Sequence, residues 1–286
     1  MPRRVEITVL VENTAGQRGT LGEHGLAWWI ETGGRRLLFD TGQGTVLLGN
    51  AYKLGAPILE ADAIALSHGH YDHTGGLVDA LRTRRHLPVF AHPAALEPKY
   101  ARRDDGGGRE IGMPPASRRA LEEHAAAWMP TLEPTPLWDG LTLTGPVPRV
   151  TDFEDVGGPF FLDQACAQPD PLADDQSLFF PSDGGLVVVL GCAHSGVINT
   201  LNHVRRLCGG QPIRAVLGGM HLLGASTERI ARTVEEFRRL DVALVAPGHC
   251  TGTVAVAALW NALPGRCATC RVGDRFTFSL ETSPRS

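Results

Sequence analysis

The sequence predicts an α/β fold in which short strands outnumber helices. Short apolar runs typical of strands recur along the chain, helical patterns lie between several of them, and three of the later runs each lead to a histidine. The predicted strands span residues 5–11, 25–31, 35–40, 63–66, 88–91, 141–143, 177–180, 186–190, 215–217 and 242–246. Residues 32–34, Thr-Gly-Gly, join the second and third runs, so we expect these two to form an antiparallel hairpin.

Three longer helices and one short helix are predicted. Apolar residues recur at helical spacing after Ser195 and again after Ser226, and both serines are suitable N-caps. A third helix is expected from about Ser117 to Trp128. A short one should begin near Leu77 with Thr74 as its cap.

Composition favours one globular domain. The chain has 286 residues, 43% of them apolar, which is enough for a substantial core. No linker divides it, so we expect a single domain over residues 1–286. Segment 97–137 is rich in proline and charge. It is interpreted either as a lid over a site or as a solvated loop.

Charge and hydropathy argue against several classes of partner. The net charge is −4 with both signs mixed along the chain, so there is no cationic stripe for nucleic acid or an anionic membrane. No run approaches the roughly 20 apolar residues of a membrane span, and the first residues do not resemble a secretion signal. We therefore expect a cytoplasmic protein that acts on a small molecule. The oligomeric state is left open.

The segment 67–76, SHGHYDHTGG, concentrates metal-binding side chains directly after the apolar run 63–66. Imidazole and carboxylate are usual ligands of borderline divalent cations, and zinc needs three or four of them. In this spacing His68 and His70 can turn to one metal while Asp72 and His73 serve a second. A histidine-rich surface turn is the alternative, and four such residues in one loop make it the weaker one.

Two metal sites need further ligands from distant parts of the chain. His194, His221 and His249 each follow an apolar run, at the place where α/β folds gather their sites. The helix predicted after Ser195 would oppose protonation of His194, which leaves the neutral ring that a metal requires. Each histidine alone could instead be a hydrogen-bonded core residue.

These motifs resemble the metallo-β-lactamase superfamily of metallohydrolases. The resemblance rests on residues 68–73, HGHYDH, preceded by LLFDTG at 37–42 and followed by PGH at 247–249. Further segments are similar to the branch named after dihydropterin ribofuranosylaminobenzene phosphate synthase. They are residues 11–13, 23–26, 67–77, 147–149, 174–176, 191–196 and 218–222.

The resemblance implies a four-layer αβ/βα sandwich with a two-metal centre at one edge of the paired sheets. It also implies a ligand set and a residue, Asp40, that orients the cluster. The implied ligands are His68, His70 and His194 for one metal and Asp72, His73 and His249 for the other.

One departure from the family pattern concerns the carboxylate that bridges the metals in many relatives. The comparable strand here ends in Gly191-Cys192-Ala193-His194, without an aspartate. The chain either lacks the bridge or replaces it, and Cys192 and His221 are the candidate replacements.

The predicted activity is metal-dependent hydrolysis of a small phosphoester, lactone or related ester. Two divalent ions, zinc or else manganese or iron, can hold a hydroxide between them and clamp substrate oxygens. Asp72 is expected to orient this nucleophile, and His221 to polarise a substrate oxygen or protonate the leaving group. Arg109 and Arg149 are candidates for binding a substrate phosphate.

Two other functions remain open. Resemblance to the synthase branch suggests a transferase that joins a pterin-like diphosphate to an aryl phosphate and releases pyrophosphate. A non-catalytic, metal-dependent ligand sensor is the third hypothesis.

Overall fold

The computed structural model describes residues 3–81, 87–123 and 128–280. The strands are β1 (Arg4–Val11), β2 (Ala27–Thr32), β3 (Arg35–Phe39), β4 (Ala63–Ala65), β5 (Val89–Ala91), β6 (Tyr100–Arg102), β7 (Gly108–Glu110), β8 (Trp128–Pro130), β9 (Thr135–Pro136), β10 (Thr142–Leu143), β11 (Phe160–Phe161), β12 (Leu178–Ser182), β13 (Gly185–Val189), β14 (Ile213–Gly219), β15 (Leu244–Gly248) and β16 (Arg275–Ser279). The α-helices are α1 (Leu47–Leu54), α2 (Tyr71–Thr74), α3 (Leu77–Leu81), α4 (Pro115–Glu123), α5 (Val197–Leu207), α6 (Thr227–Arg239) and α7 (Thr253–Ala262). Short 3-10 turns lie at Ile58–Glu60, Pro93–Leu96 and His249–Thr251.

Two large sheets form the centre of the molecule. One has the order β16-β1-β2-β3-β4-β5-β8 and the other β15-β14-β13-β12-β10-β9. One apolar cluster joins residues of both sheets, and two more lie between each sheet and its helices. Trp28 packs in the cluster between the sheets and its neighbour Trp29 in the cluster beneath the helices, because successive strand residues face opposite sides. The predicted four-layer sandwich is confirmed.

Strand predictions agree with this sheet structure. Each predicted apolar run contains or overlaps a strand, with ends that differ by a few residues. The hairpin is also confirmed, since β2 and β3 pair antiparallel from Trp28 opposite Phe39 to Thr32 opposite Arg35.

The cap predicted at Ser226 is confirmed and the one at Ser195 is wrong. Ser226 Oγ accepts a hydrogen bond from Arg229 N at 3.1 Å at the start of α6. Helix α5 begins two residues after Ser195, behind Gly196 with φ 97°. The N–H groups of its first turn, which have no partner within the helix, donate to the carboxylate of Glu154, a residue of a loop distant in sequence.

The other two helix predictions are partly wrong. Helix α4 ends at Glu123, residues 124–127 lie outside the described part of the chain, and Trp128 begins β8 opposite Val89. Thr74 does not cap α3, because it is the last residue of α2 and its hydroxyl donates to the His70 carbonyl at 2.9 Å.

The described part of segment 97–137 contains strands β6 to β9 and an exposed turn at residues 103–107. Strands β8 and β9 extend the two main sheets, while β6 and β7 form a small sheet with β11. Lys99, at the start of the segment, is completely buried and its Nζ lies 3.0 Å from Asp170 Oδ2 and 2.9 Å from Asp174 Oδ1.

Among the described residues, we find no helix with the length and apolar character needed to cross a bilayer.

Candidate metal centre

Parallel strands bring the predicted site residues to one edge of the sandwich. Strands β13, β14 and β15 run parallel, and His194, His221 and His249 follow their carboxyl ends. In the other sheet β3 and β4 are parallel, so Asp40 and His68 leave from neighbouring strand ends.

His68, His70 and His194 form one group, here called the three-histidine group. The ring centroids are 4.5 Å apart for His68 and His70, 4.8 Å for His68 and His194, and 4.9 Å for His70 and His194. His68 Nε2 lies 3.0 Å from His70 Nδ1. The Nε2 atoms of His70 and His194 are buried and have no hydrogen-bond partner among the described residues.

Burial keeps these three rings neutral. It lowers the pKa of His70 to about 3 and holds the pKa values of His68 and His194 well below the ordinary value. The group therefore offers unprotonated nitrogens, the form in which imidazole binds a metal.

Asp72, His73 and His249 form a second group, here called the aspartate group. The Nε2 atoms of His73 and His249 are 3.2 Å apart, and Asp72 Oδ2 lies 3.4 Å from His249 Nε2 and 3.8 Å from His73 Nε2. The other ring nitrogen of His249, Nδ1, lies 3.0 Å from Asn13 Oδ1, and this contact orients the ring.

The aspartate group carries charge. Burial lowers the pKa of His73, but the carboxylates of Asp40 and Asp72 outweigh burial and raise it to about 9. Burial raises the pKa of Asp72, yet His73 and hydrogen bonds with His24 and His249 hold it well below its usual value. These shifts favour the ionised form of Asp72 and the protonated form of His73.

Asp40 accepts three hydrogen bonds at the base of the site. Ser67 N donates to Oδ1 and Ser67 Oγ to Oδ2, both at 2.7 Å, while His73 Nδ1 lies 2.7 Å from Oδ2. The carboxylate therefore ties the start of the histidine loop to the His73 ring. This is the position from which an orienting role is predicted.

Cys192 lies between the two groups. Its Sγ is 3.1 Å from His73 Nε2. It falls within 4.8 Å of ligand atoms of His68 and His194 on one side and of His73 and His249 on the other. Burial raises the pKa of this thiol well above its ordinary value. Of the two residues considered as substitutes for the bridge, Cys192 has the intermediate position.

His221 lies farther along the same edge. Its ring centroid is 4.0 Å from that of His194, and its buried Nδ1 has no hydrogen-bond partner among the described residues. Burial lowers its pKa, but Cys250 outweighs this effect and raises it.

Two residues at the site were not predicted. His24 Nε2 lies 3.1 Å from Asp72 Oδ2, although the His24 side chain is 51% exposed. Cys250 Sγ accepts a hydrogen bond from His221 N at 3.3 Å and lies within 4.8 Å of the Cys192 sulfur. The only sequence signals were that His24 lies in a segment resembling the synthase branch and that Cys250 follows His249.

Segment 174–176, Asp-Asp-Gln, holds the loops of the three-histidine group in place. Each of its side chains bonds to the backbone of one such loop: Asp174 Oδ2 accepts from Gly69 N at 2.7 Å, Asp175 Oδ2 accepts from Ser195 N at 2.8 Å, and Gln176 Nε2 donates to Leu66 O at 2.8 Å. One short segment thus fixes two loops that are remote in sequence.

A cavity of about 230 Å³ opens over both groups. We call it the site cavity. Its walls include His221 and, from segment 97–137 and β11, Arg109, Ile111 and Phe160. Segment 97–137 therefore covers part of the site, while its movement as a lid stays a prediction.

Only one of the two candidate arginines reaches this cavity. Arg109 lines it, and its guanidinium forms no hydrogen bond or ion pair with any described residue. Arg149 is absent from the walls, and its guanidinium donates to the His194 backbone carbonyl at 3.4 Å. A direct role for Arg149 in binding substrate is therefore not supported by its position.

The donor set fits divalent metal ions. Two nitrogens bound to one tetrahedral zinc ion lie about 3.3 Å apart. The pairs His68–His70 and His73–His249 are separated by 3.0 and 3.2 Å. An ion held by these nitrogens would also satisfy the buried Nε2 atom of His194.

Comparison with known proteins agrees with the resemblance seen in the motifs. The model of the metallo-β-lactamase superfamily matches residues 21–249. The 7,8-dihydropterin-6-methyl-4-(β-D-ribofuranosyl)-aminobenzene-5'-phosphate synthase of Methanocaldococcus jannaschii is 29% identical over 266 residues, which cover 87% of this chain and 88% of that protein. An uncharacterised protein of the same organism is 33% identical over 254 residues, or 88% of this chain and 93% of that one.

A solved structure is similar over nearly the whole chain. The crystal structure of Tm1679, a metal-dependent hydrolase of the β-lactamase superfamily, has a TM-score of 0.80 and 31% sequence identity, and the match covers 98% of this chain and 100% of that one. Sequence motifs, fold and family match all agree. The chain therefore belongs to the metallo-β-lactamase superfamily.

Proposed function

We propose that this protein is a metal-dependent hydrolase that cleaves a small phosphoester. The main support is the meeting of neutral imidazoles and an ionised carboxylate beneath one cavity. The three-histidine group would hold one ion and the aspartate group a second, with Cys192 between them. A thiol beside imidazoles favours zinc over manganese or iron.

When bound, such ions lower the pKa of water toward 7 and polarise the phosphoryl oxygens. The chain's own carboxylate at Asp72 faces the site cavity and stays ionised, so it can accept a hydrogen bond from the attacking water and orient it. Attack forms one P–O bond and breaks the ester P–O bond.

His221 is proposed to protonate the departing alcohol oxygen. Its ring lies in the cavity wall, and its raised pKa keeps more of it protonated near neutral pH than an ordinary histidine. The proton passes from the imidazolium to the leaving group as the ester bond breaks.

Arg109 favours a phosphoester over a lactone. Its guanidinium lines the cavity without an ion pair to the described residues, so it is free to form two hydrogen bonds to phosphate oxygens. A neutral lactone would leave that charge without a partner.

Steady-state kinetics on metal-loaded protein tests this proposal. We expect turnover of phosphodiester or phosphomonoester substrates in preference to lactones, and at least a tenfold higher KM in Arg109→Met with a smaller change in kcat. Full metal loading with no turnover on either class would contradict the proposal. Tight binding of a metabolite without turnover would support the sensor instead.

A second candidate is the transferase that joins a pterin-like diphosphate to an aryl phosphate. It is favoured by the 29% identity to a protein named as a synthase over 87% of this chain. Pyrophosphate release that requires both substrates would support the transferase. Cleavage of the diphosphate without an acceptor would support the hydrolase.

A further inference from the structure

A second and larger cavity adjoins the site cavity. Its volume is about 560 Å³, and it shares His24, Leu223, His249 and Cys250 with the walls of the site cavity. The rest of its wall comes from residues 12–14, from Pro247 and Gly248 at the end of β15, from Gly252 and helix α7, and from residues 268–271. We call it the apolar cavity.

Apolar side chains supply much of the wall: Val256, Ala257 and Trp260 of helix α7, together with Pro247, Ala268 and Leu223. Polar side chains, Arg271 among them, line the remainder. The buried carboxylate in this wall is already engaged. Glu12 Oε1 accepts from His249 N at 2.7 Å and Oε2 accepts from Thr14 N at 2.6 Å. A ligand here would therefore be held chiefly through apolar contact.

Large apolar side chains stand open to solvent around this cavity. Leu223 is 73% exposed and Trp260 is 44% exposed. Leu223 belongs to both cavities, so these surfaces continue directly into the site. An apolar ligand that covers them would gain the free energy of removing their area from water.

The two cavities differ in the size of the chemical group that each can hold. Ligand sites usually have volumes of about 300–1,000 Å³. The site cavity, at about 230 Å³, has room for a phosphoryl group and little more, whereas the apolar cavity, at about 560 Å³, can hold a ring system.

We propose that the apolar cavity is the subsite for the leaving-group side of the substrate, and that this side is a bulky apolar alcohol such as an aryl group. This deepens the proposed function and rests on it for the identity of the reacting bond. The phosphoryl group would face Arg109, and the apolar alcohol would pass His24 and His249 toward Trp260.

A pair of variants on one helix tests the subsite by binding alone. Ala257→Phe adds a ring at the cavity wall, whereas Val254→Phe adds the same ring on α7 away from that wall, at a position that is 73% exposed. The probe is N-phenyl-1-naphthylamine, a neutral apolar dye, added to metal-loaded protein.

We expect one dye per chain to bind wild type and Val254→Phe, and at least a tenfold weaker dissociation constant in Ala257→Phe. Equal binding by both variants, or no saturable binding by wild type, would overturn the subsite. Because this measurement needs no turnover, it gives an answer even if the hydrolase proposal fails.

Kinetics provides the second readout. The ratio of kcat/KM for 1-naphthyl phosphate to that for methyl phosphate should fall at least tenfold in Ala257→Phe relative to Val254→Phe. Hydrolysis of both esters with an unchanged ratio would reject the subsite while leaving the hydrolase standing.

Discussion

At Asp40 one carboxylate positions two parts of the candidate metal centre. Asp40→Asn keeps the shape but replaces one acceptor oxygen by a donor, so the side chain can no longer accept from all three of Ser67 N, Ser67 Oγ and His73 Nδ1. We predict a 10- to 100-fold loss of metal affinity, a magnitude typical of such supporting residues. Competition against a chromophoric chelator measures it.

Asp183→Asn is the matched control, because Asp183 is exposed and remote from the site. Equal metal affinity of Asp40→Asn and the control would refute the orienting role.

Gly157 leaves space for the His221 ring. A Cβ at Gly157 would overlap Cδ2 of His221. Gly157→Ala should therefore displace the proposed proton donor and lower kcat by 10²-fold or more, an effect of the size expected for general acid catalysis. Because the loss acts through His221, the double variant with His221→Ala should be no slower than His221→Ala alone.

Gly106→Ala is the control that distinguishes the effect of the steric clash with His221 from the effect of backbone strain. Gly106 has φ 87° and Gly157 has φ 86°, but nothing lies within 4 Å of a Cβ at Gly106. A similar loss of kcat in both glycine variants would count against the role of His221.

At the level of single residues, the sequence predicts the positions that follow a recognisable motif or strand end. It does not predict His24, because a lone histidine in a loop carries no spacing signal. Nor does it show that Arg149 turns to a backbone carbonyl while Arg109 reaches the cavity. The two side chains are chemically identical, so only the three-dimensional path of the chain determines which of them reaches the cavity.

At the level of elements, the start of helix α5 depends on Glu154. Its carboxylate accepts from Ile198 N and Asn199 N, both at 2.8 Å. Glu154→Ala should lower the free energy of unfolding by about 1–2 kcal/mol, the usual cost of losing a helix cap. Urea denaturation measures this, with Glu235→Ala at an exposed position in the interior of α6 as the control, and equal stability of the two variants would contradict the capping role.

Lys99 anchors segment 97–137 to the loop that holds the histidines. Its ammonium is buried between Asp170 and Asp174, and Asp174 also accepts from Gly69 N. Lys99→Met leaves two buried carboxylates without their partner, so we predict a loss of about 3–5 kcal/mol in the free energy of unfolding. Thermal and urea unfolding should show little change for the exposed Lys53→Met, and the same small change for Lys99→Met would reject the prediction.

The contact between Glu154 and helix α5 shows why the ends of helices are hard to predict from sequence. Ser195 has the right chemistry for a cap, but the carboxylate of Glu154, 44 residues before Ile198, accepts from the helix N-terminus instead. Local sequence cannot show such a distant partner. Ser226 is predicted correctly because its cap is formed within its own turn.

At the scale of the whole molecule, the apolar runs in the sequence predict the longer strands. The resemblance to a known family predicts how they are arranged in four layers. The sequence does not decide between a lid and a solvated loop for segment 97–137, because strands such as β9, with two residues, are too short to show a period. Its strands are defined by the sheets they join, and those contacts are not visible in the local pattern.

Metal analysis of purified protein tests the central claim, that histidines from separate strand ends form one metal centre. Elemental analysis should find two divalent ions per chain in wild type and about one fewer in each of His68→Ala and His249→Ala. His203→Ala is the control, because His203 is buried and bonds to the Thr144 carbonyl away from the site. A wild-type protein without metal, or unchanged metal content in both ligand variants, would contradict the account.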